Sequence, residues 1–425
     1  MLPCLQIAHG VKIIDLFQLT TSTSGYTCDY TDQDTGMYQQ VRTTLNELTM
    51  FDDIVNSGSA QLNLAKVAIL YSETADIWYS PLYTPGASKR SLYLALRHAQ
   101  LPLDIVTEDD CVEGILNHYS LLCVVDPHVS EAAMTAVSQW TNAGGRVVVT
   151  AGGAQLNEYN MTNAATQKLL PVVQHGIWTG RRYSRHNATI FFVKQELPFA
   201  ETLDQVTTTA TAKDAGRGAA PIGVFGEKSI FSYSGPKSGI MATFSDKSPA
   251  QVTVPKGKGQ ATYLGFHPGL AYMQPALPRR PVDRTPDLAG FTHFVPTEFN
   301  LAVRDLLLEL VKDVPDARPI VSSNPLVEVG YVTSSVGVAL PLVNWATQGN
   351  QTGFFLGENV TRVKISLAGL KLPPRFTNAT LASCGSLAMK ACAARQSNKL
   401  VPLNVSTDKL TLTIDVAIAD CIVLR

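Results

Sequence analysis

Charge is scarce in this chain and almost balanced. Asp, Glu, Lys and Arg make up 16% of the 425 residues, and 34 basic side chains face 35 acidic ones, for a formal net charge of -1. Binding to nucleic acid or to an acidic membrane surface needs a basic excess, so neither partner is expected. Long hydrophobic runs are missing too: no stretch approaches the roughly 18 apolar residues of a membrane-spanning helix. Cysteine is sparse, with seven residues (Cys4, Cys28, Cys111, Cys123, Cys384, Cys392 and Cys421) scattered along the chain. Their number is odd and they lack the paired spacing of a zinc site, so no metal is expected and at least one thiol stays unpaired within the chain. Cys384 and Cys392 are spaced either to face each other across a hairpin or to be two ordinary buried thiols. The opening residues, MLPCLQIAHGVKIIDLF, lack the charged start and small-residue cleavage site of a signal peptide. Six Asn-x-Ser/Thr sequons (Asn160, Asn187, Asn350, Asn359, Asn378 and Asn404) exceed the roughly three that chance would supply. They lean towards secretion and leave the compartment open.

What is present is apolar patterning. Hydrophobic residues make up 45% of the chain, and its length suffices for two or three domains, each with its own core. The clearest unit is 121–154. Residues 121–125 form a continuous apolar run that stops at Asp126-Pro127, as a strand buried on both faces should. Ser130 can cap a helix with Ala133, Val137 and Trp140 on one face, Gly144-Gly145 ends it, and 146–150 returns as a second buried strand. Strands joined through a helix run parallel, by a right-handed crossover.

The same logic extends outwards. Residues 66–71 and Leu103–Val106 read as strands, and 87–100 as a helix with Leu92, Leu96 and Ala99 inward. Residues 260–266 read as a last strand, and 297–312 as a closing helix with Phe299, Val303, Leu306 and Leu310 on its apolar side. A β-rich insertion is expected over 176–254. Together these predict a doubly wound α/β domain over 61–312. Residues 313–319, with two prolines and no periodicity, read as a linker. Beyond it, 326–333, 336–345, 360–367 and 409–416 are short β-branched segments without helices between them, which predicts a β-sandwich over 313–425. Residues 1–60 offer one strand (10–17) and one helix (37–55, with Val41, Leu45, Leu48 and Phe51 on a shared face). Such a pair cannot bury both of its apolar faces alone. It either docks on the rest of the chain or is the tail of a barrel, and the tail is the reading preferred here.

This order of pieces resembles the C-terminal two-thirds of the family 42 glycoside hydrolases and related β-galactosidase-like proteins. Residues 8–17, AHGVKIIDLF, are similar to the strand that closes their (β/α)8 barrel. Residues 66–78, KVAILYSETADIW, with 143–150, resemble their trimerisation domain. Residues 337–345, GVALPLVNW, with the ending at 419–424, resemble their terminal sandwich. The resemblance implies an α/β, doubly wound flavodoxin-like (class I amidotransferase-like) domain followed by an all-β sandwich and preceded by a remnant of a (β/α)8 barrel. It also implies a homo-oligomer, a trimer in the relatives. Such enzymes cleave glycosides with two carboxylates about 5 Å apart. In the family these sit on barrel strands that precede the matched region, so no catalytic residue is carried over. Asp15 either lined a barrel mouth or is a loop aspartate.

Ligands of doubly wound sheets bind beyond the carboxyl ends of the strands. Here those ends are 72–76, 126–128, 151–153 and 267–269, and a cleft holding Glu73, Asp76, His128 and His267 is conceivable. A carboxylate after the first strand, where a Gly-rich turn would cradle phosphate, argues against flavin or nucleotide, so no cofactor is expected. Residues 265–269, GFHPG, resemble the His-Pro-Glu stretch of class I glutamine amidotransferases, with Gly269 in place of the carboxylate. The elbow at 151–154, AGGA, has no thiol, and without a nucleophile there is no acyl transfer. The loop 73–83 is acidic and aromatic. Its Glu73, Asp76, Trp78, Tyr79 and Tyr83 suit contact with a partner subunit, packing within the loop, or stacking on a sugar face. Arg181, Arg182, Arg185, Arg279, Arg280 and Arg284 read as solvated loop charges rather than an anion site.

The resulting expectation is a non-catalytic portion of a β-galactosidase-like hydrolase, serving assembly and support of the barrel. The alternative is a stand-alone, catalytically inactive carbohydrate-binding or scaffold protein of amidotransferase-like fold.

Overall fold

The computed structural model describes residues 6–14, 42, 45–62, 65–79, 84–180, 202–208, 221–276, 299–345, 361–370, 379–382, 401–402, 411–416 and 419–425. The chain divides into two compact units. One comprises Ala65–Thr292 with Glu298–Ala317, the other Met1–Leu64, His293–Thr297 and Arg318–Arg425.

The first unit is mixed α/β. It opens with β1 (Val67–Leu70), α1 (Glu73–Trp78), α2 (Thr84–His98), β2 (Leu103–Val106), α3 (Glu108–Val112), β3 (Leu121–Val124), α4 (Glu131–Ala143) and β4 (Arg146–Val149). Every residue of β1 and β3 is buried, the consequence of central parallel strands covered on both faces. Ser130 caps α4 by accepting from the Ala133 amide, and Gly144, at φ 136°, ends it. Thr107 and Asp110 close a reciprocal capping box at α3.

After β4 come α5 (Ala164–Leu169), β5 (Val172–Thr179), β6 (Asp204–Thr208), β7 (Ile222–Val224), β8 (Glu227–Tyr233), β9 (Ile240–Phe244), β10 (Pro249–Lys256), β11 (Gly259–Leu264), α6 (Pro268–Met273) and α7 (Leu301–Val311). Five strands run parallel in the order β2-β1-β3-β4-β11. The sheet continues antiparallel through β10, β9, β6 and β7. The β-rich stretch therefore extends the main sheet, and it also forms a separate antiparallel ribbon, β5 with β8.

Helix α6 crosses α2 so closely that a Cβ on Gly269 would lie 2.3 Å from the Leu92 nitrogen. Asn300 caps α7 by accepting from the amides of Ala302 and Val303. Val314 and Ala317, inside the expected linker, are buried in the α/β core, so the division falls after Ala317.

The second unit is β-sandwich-like. One sheet is centred on Val338–Asn344, which pairs antiparallel with Ala419–Leu424 on one side and with Val327–Val329 and Val332–Thr333 on the other. A three-stranded sheet joins Val321–Ser322, Thr361–Ser366 and Thr411–Val416. Val338, Leu340 and Leu342 share a core with Val363, Ile365, Leu412 and Ile414. Ala339, on the opposite face, packs with Ile7, Phe51 and Ile54.

The strand expected over 10–17 does not form in its described part. Residues 6–8 make a helical turn, Gly10 turns the chain at φ 92°, and 11–14 have no ladder partner, with Ile13 86% exposed. An apolar run becomes a strand only where a neighbouring strand accepts its hydrogen bonds. Asp15 lies outside the described residues. The helix expected over 37–55 is seen from 45 to 48, continuing through a tight turn at Thr49–Phe51 into Asp52–Val55; Val41 lies outside the described residues. Gln61–Leu62 then pairs with Val332–Thr333. Cys4, Cys28, Cys384, Cys392, the six loop arginines and every sequon except Asn160 likewise lie outside the described residues. Among those described, Cys111, Cys123 and Cys421 are buried, and burial pushes the Cys111 and Cys123 thiols up to about 12. Also among them, no helix is long and apolar enough to cross a membrane.

Candidate functional site

The carboxyl ends of β1 and β3 carry a dense polar cluster. Ser72, fully buried, follows β1, and its hydroxyl lies 2.5 Å from Glu108 Oε1 and 2.6 Å from the His128 carbonyl, with one proton to give. The same oxygen accepts from the Ala75 amide and so caps α1. Glu108 also accepts from the Thr74 hydroxyl (3.0 Å) and the Ser130 amide (2.9 Å). Burial works against its charge, but the hydrogen bonds from Ser130, Ser72 and Thr74 outweigh it and hold the carboxyl below its ordinary value. Glu108 thus ties together β1, α3 and the entry to α4. No motif in the sequence singles it out; only its place in the capping-box helix hints at a fixed orientation.

Asp126, after β3, is the second buried carboxylate. Its Oδ2 accepts from Lys89 Nζ at 2.6 Å and from the Ser72 amide at 3.2 Å. Burial dominates and raises its carboxyl, with Lys89 pulling the other way. The Tyr71 hydroxyl donates to Asp76, and that bond, with burial, raises the phenol. Lys89 and Tyr71 were not legible as site residues, because each is one polar group in an otherwise ordinary strand end or helix.

Of the cleft residues expected from sequence, the structure gathers only some. Asp76 joins Tyr71 at the end of β1. His128 stacks on Trp78 with ring centroids 5.4 Å apart and meets Tyr79 at 5.1 Å, while its Nε2 lies 2.8 Å from Asn160 Oδ1. Burial lowers the His128 pKa, against the Asn160 bond. Trp78 and Tyr79 remain 46% and 39% exposed, beside Ile77 at 85%. Glu73 is exposed, and Tyr83 lies outside the described residues.

His267 belongs to a different arrangement. Its Nε2 lies 3.1 Å from Glu227 Oε2, so the carboxylate absent at Gly269 is supplied by β8 instead. This corrects the expectation of an imidazole without a carboxylate. Position 269 itself has no room for a side chain, because α6 rests on the backbone of α2 there. The elbow after β4 is closed as well. Gly152 sits at φ 72°, and a Cβ on it would be 2.6 Å from Ile177 Cδ1, while one on Gly153 would be 2.9 Å from the Val124 carbonyl. Acyl transfer has no nucleophile at this elbow.

No family model matches the sequence, and no curated protein matches it. Solved structures do. Gan42B, a GH42 β-galactosidase of G. stearothermophilus, aligns in a catalytic-mutant form at 15% identity and TM-score 0.62, covering 99% of this chain and 49% of that one. The β-galactosidase of Bacillus circulans sp. alkalophilus aligns at 14% identity and TM-score 0.63, covering 99% and 50%. The α-L-fucosidase isoenzyme 2 of Paenibacillus thiaminolyticus aligns at 14% identity and TM-score 0.54, covering 92% and 52%. The chain thus spans about half the length of the structures it matches. At these identities the likeness is one of fold: the chain has a mixed α/β unit and a sandwich-like unit, as part of the GH42 β-galactosidases does.

Proposed function

We propose that this chain is a non-catalytic portion of a β-galactosidase-like glycoside hydrolase that serves oligomer assembly and supports a barrel active site. The observation that carries the reading is the alignment of almost the whole chain with half of several β-galactosidases. The parallel order β2-β1-β3-β4-β11 supports a flavodoxin-like assembly domain within it. Glycoside cleavage needs two carboxyl groups facing one cleft. The carboxylates described above are committed elsewhere: Glu108 to donors from Ser72, Thr74 and Ser130, Asp126 to Lys89, and Glu227 to His267. The parent would hydrolyse β-galactosides or related glycosides by a two-carboxylate mechanism.

Assembly would use the aromatic surface of Trp78 and Tyr79, with Glu73, Asp76 and Tyr83 as further contacts, and a trimer by resemblance. Exposed rings on a short, well-capped helix suit a subunit contact. Light scattering on the purified chain is expected to give an oligomer, and Trp78→Ala with Tyr79→Ala to shift it towards monomer. The same chain should release no nitrophenol from aryl β-galactosides. A strict monomer would sink the assembly role, and turnover by the chain alone would sink the non-catalytic one.

A further inference from the structure

The α/β unit holds a cavity of about 380 Å³ beside the carboxyl ends of β1 and β3. In the order β2-β1-β3 the chain goes one way from β1 to reach β2 and the other way to reach β3. Open α/β sheets leave a crevice at such a reversal. Tyr71 directly follows β1, and Asp126 lies just beyond β3, so the cavity lies at that point.

Its walls are mostly carbon. Ile69 of β1, Ile105 of the edge strand β2, and the rings of Tyr71 and Tyr93 line it. Helix α2 presents Gly86, Lys89 and Tyr93, spaced to share one face. The polar end is the Lys89–Asp126 pair, with Asp126 only 2% exposed and Lys89 Nζ 4.7 Å from the centre of the Tyr71 ring. Asp76 and Arg90 complete the charged lining, and the two positive and two negative groups cancel.

That balance selects among ligands. A charged ligand would lose its hydration for no net attraction. A hydroxyl both donates and accepts, so it can bond Asp126 and Lys89 together, the two atoms lying 2.6 Å apart. The apolar walls suit a flat hydrocarbon body. A benzene ring fits a cavity of about 150 Å³, so the space is ample for a substituted ring. We propose that this cavity is a binding site for a small neutral aryl alcohol, its hydroxyl on the Lys89–Asp126 pair and its ring between Ile105, Ile69 and Tyr93.

The test uses the full chain and p-cresol as probe, followed by saturation-transfer NMR and thermal shift. Toluene, benzoate and benzylamine serve as the hydroxyl-free, anionic and cationic comparisons. Binding of p-cresol is expected, with each comparison weaker by about ten-fold or more. Ile105 is 61% exposed, so Ile105→Trp can fill the mouth without disturbing the core, and it should weaken p-cresol by about ten-fold while Ile105→Ala leaves binding in place. Failure of p-cresol to bind, equal binding of benzoate or benzylamine, or indifference to a folded Ile105→Trp would each overturn the proposal. If that variant does not fold, the ligand series on the unaltered chain decides the question alone.

Discussion

Where β4 and β11 end, Gly152 turns the backbone at positive φ, Ile177 covers the turn, and His267 is buried against Glu227. Where β1 and β3 end, Gly86 and Ile105 of the edge strand line an open cavity beside Lys89 and Asp126. Both places lie at the carboxyl side of one parallel sheet, where the fold rule puts ligands. What separates them is what other elements deliver. The β5–β8 ribbon brings Ile177 and Glu227 to the first place and closes it, whereas α2 brings a glycine to the second. Topology thus nominates positions, and a few side chains from distant segments decide which stays open.

The sharpest way to break the comparison is at the closed end. Gly269→Glu would restore the carboxylate of the amidotransferase pattern, which this chain lacks, but its Cβ would meet the Leu92 backbone at 2.3 Å. A loss of about 3 kcal/mol or more is expected from urea unfolding, because α6 and α2 must separate. An unchanged midpoint would mean that the helices are not in close contact there.

At the open end, Lys89→Met should cost about 2 to 3 kcal/mol at neutral pH, since it strands a buried carboxylate. The sign of its pH dependence follows from Asp126, whose carboxyl is raised above the ordinary 3.8 by burial. A raised acid costs the fold nothing when protonated in both states, and the cost grows as pH climbs past the unfolded value. The variant's deficit should therefore shrink towards acid, and a deficit that widened below pH 3.8 would contradict the assignment.

The smallest effect concerns the turn itself. Gly152→Ala is expected to cost about 1 kcal/mol through the strained φ and the contact with Ile177. Pairing it with Ile177→Ala should recover part of that loss. Strict additivity of the two changes would show that Ile177 does not cover the elbow.

Much of the α/β unit is legible in the sequence because its signals are local. The apolar runs at 66–71 and 121–125 mark central strands, and Ser130 and Gly144 mark both ends of α4. The candidate sites are less legible because their partners are distant. Glu227 reaches His267 across 40 positions, and Glu108 reaches Ser72 across 36. Neither pairing leaves a spacing that a single sequence can reveal. The run at 10–17 misleads for the complementary reason: its apolar residues are real, but no neighbouring strand pairs with its described part. Its outcome depends on where the chain folds back, and there Ile7 joins Phe51 and Ile54 against the sandwich.

The strand Val338–Asn344 carries a consequence for the order in which the protein matures. All seven of its residues are buried, one face by the sandwich and the other by a cluster that includes the N-terminal segment. The Ser59 and Ser335 hydroxyls that meet beside it are 276 positions apart. On the ribosome, the segment carrying Phe51 and Ile54 emerges before the α/β unit, which can fold as a domain before the sandwich strands are made. Phe51 and Ile54 therefore wait on Ala339 and Val423 for the cluster they join in the folded unit.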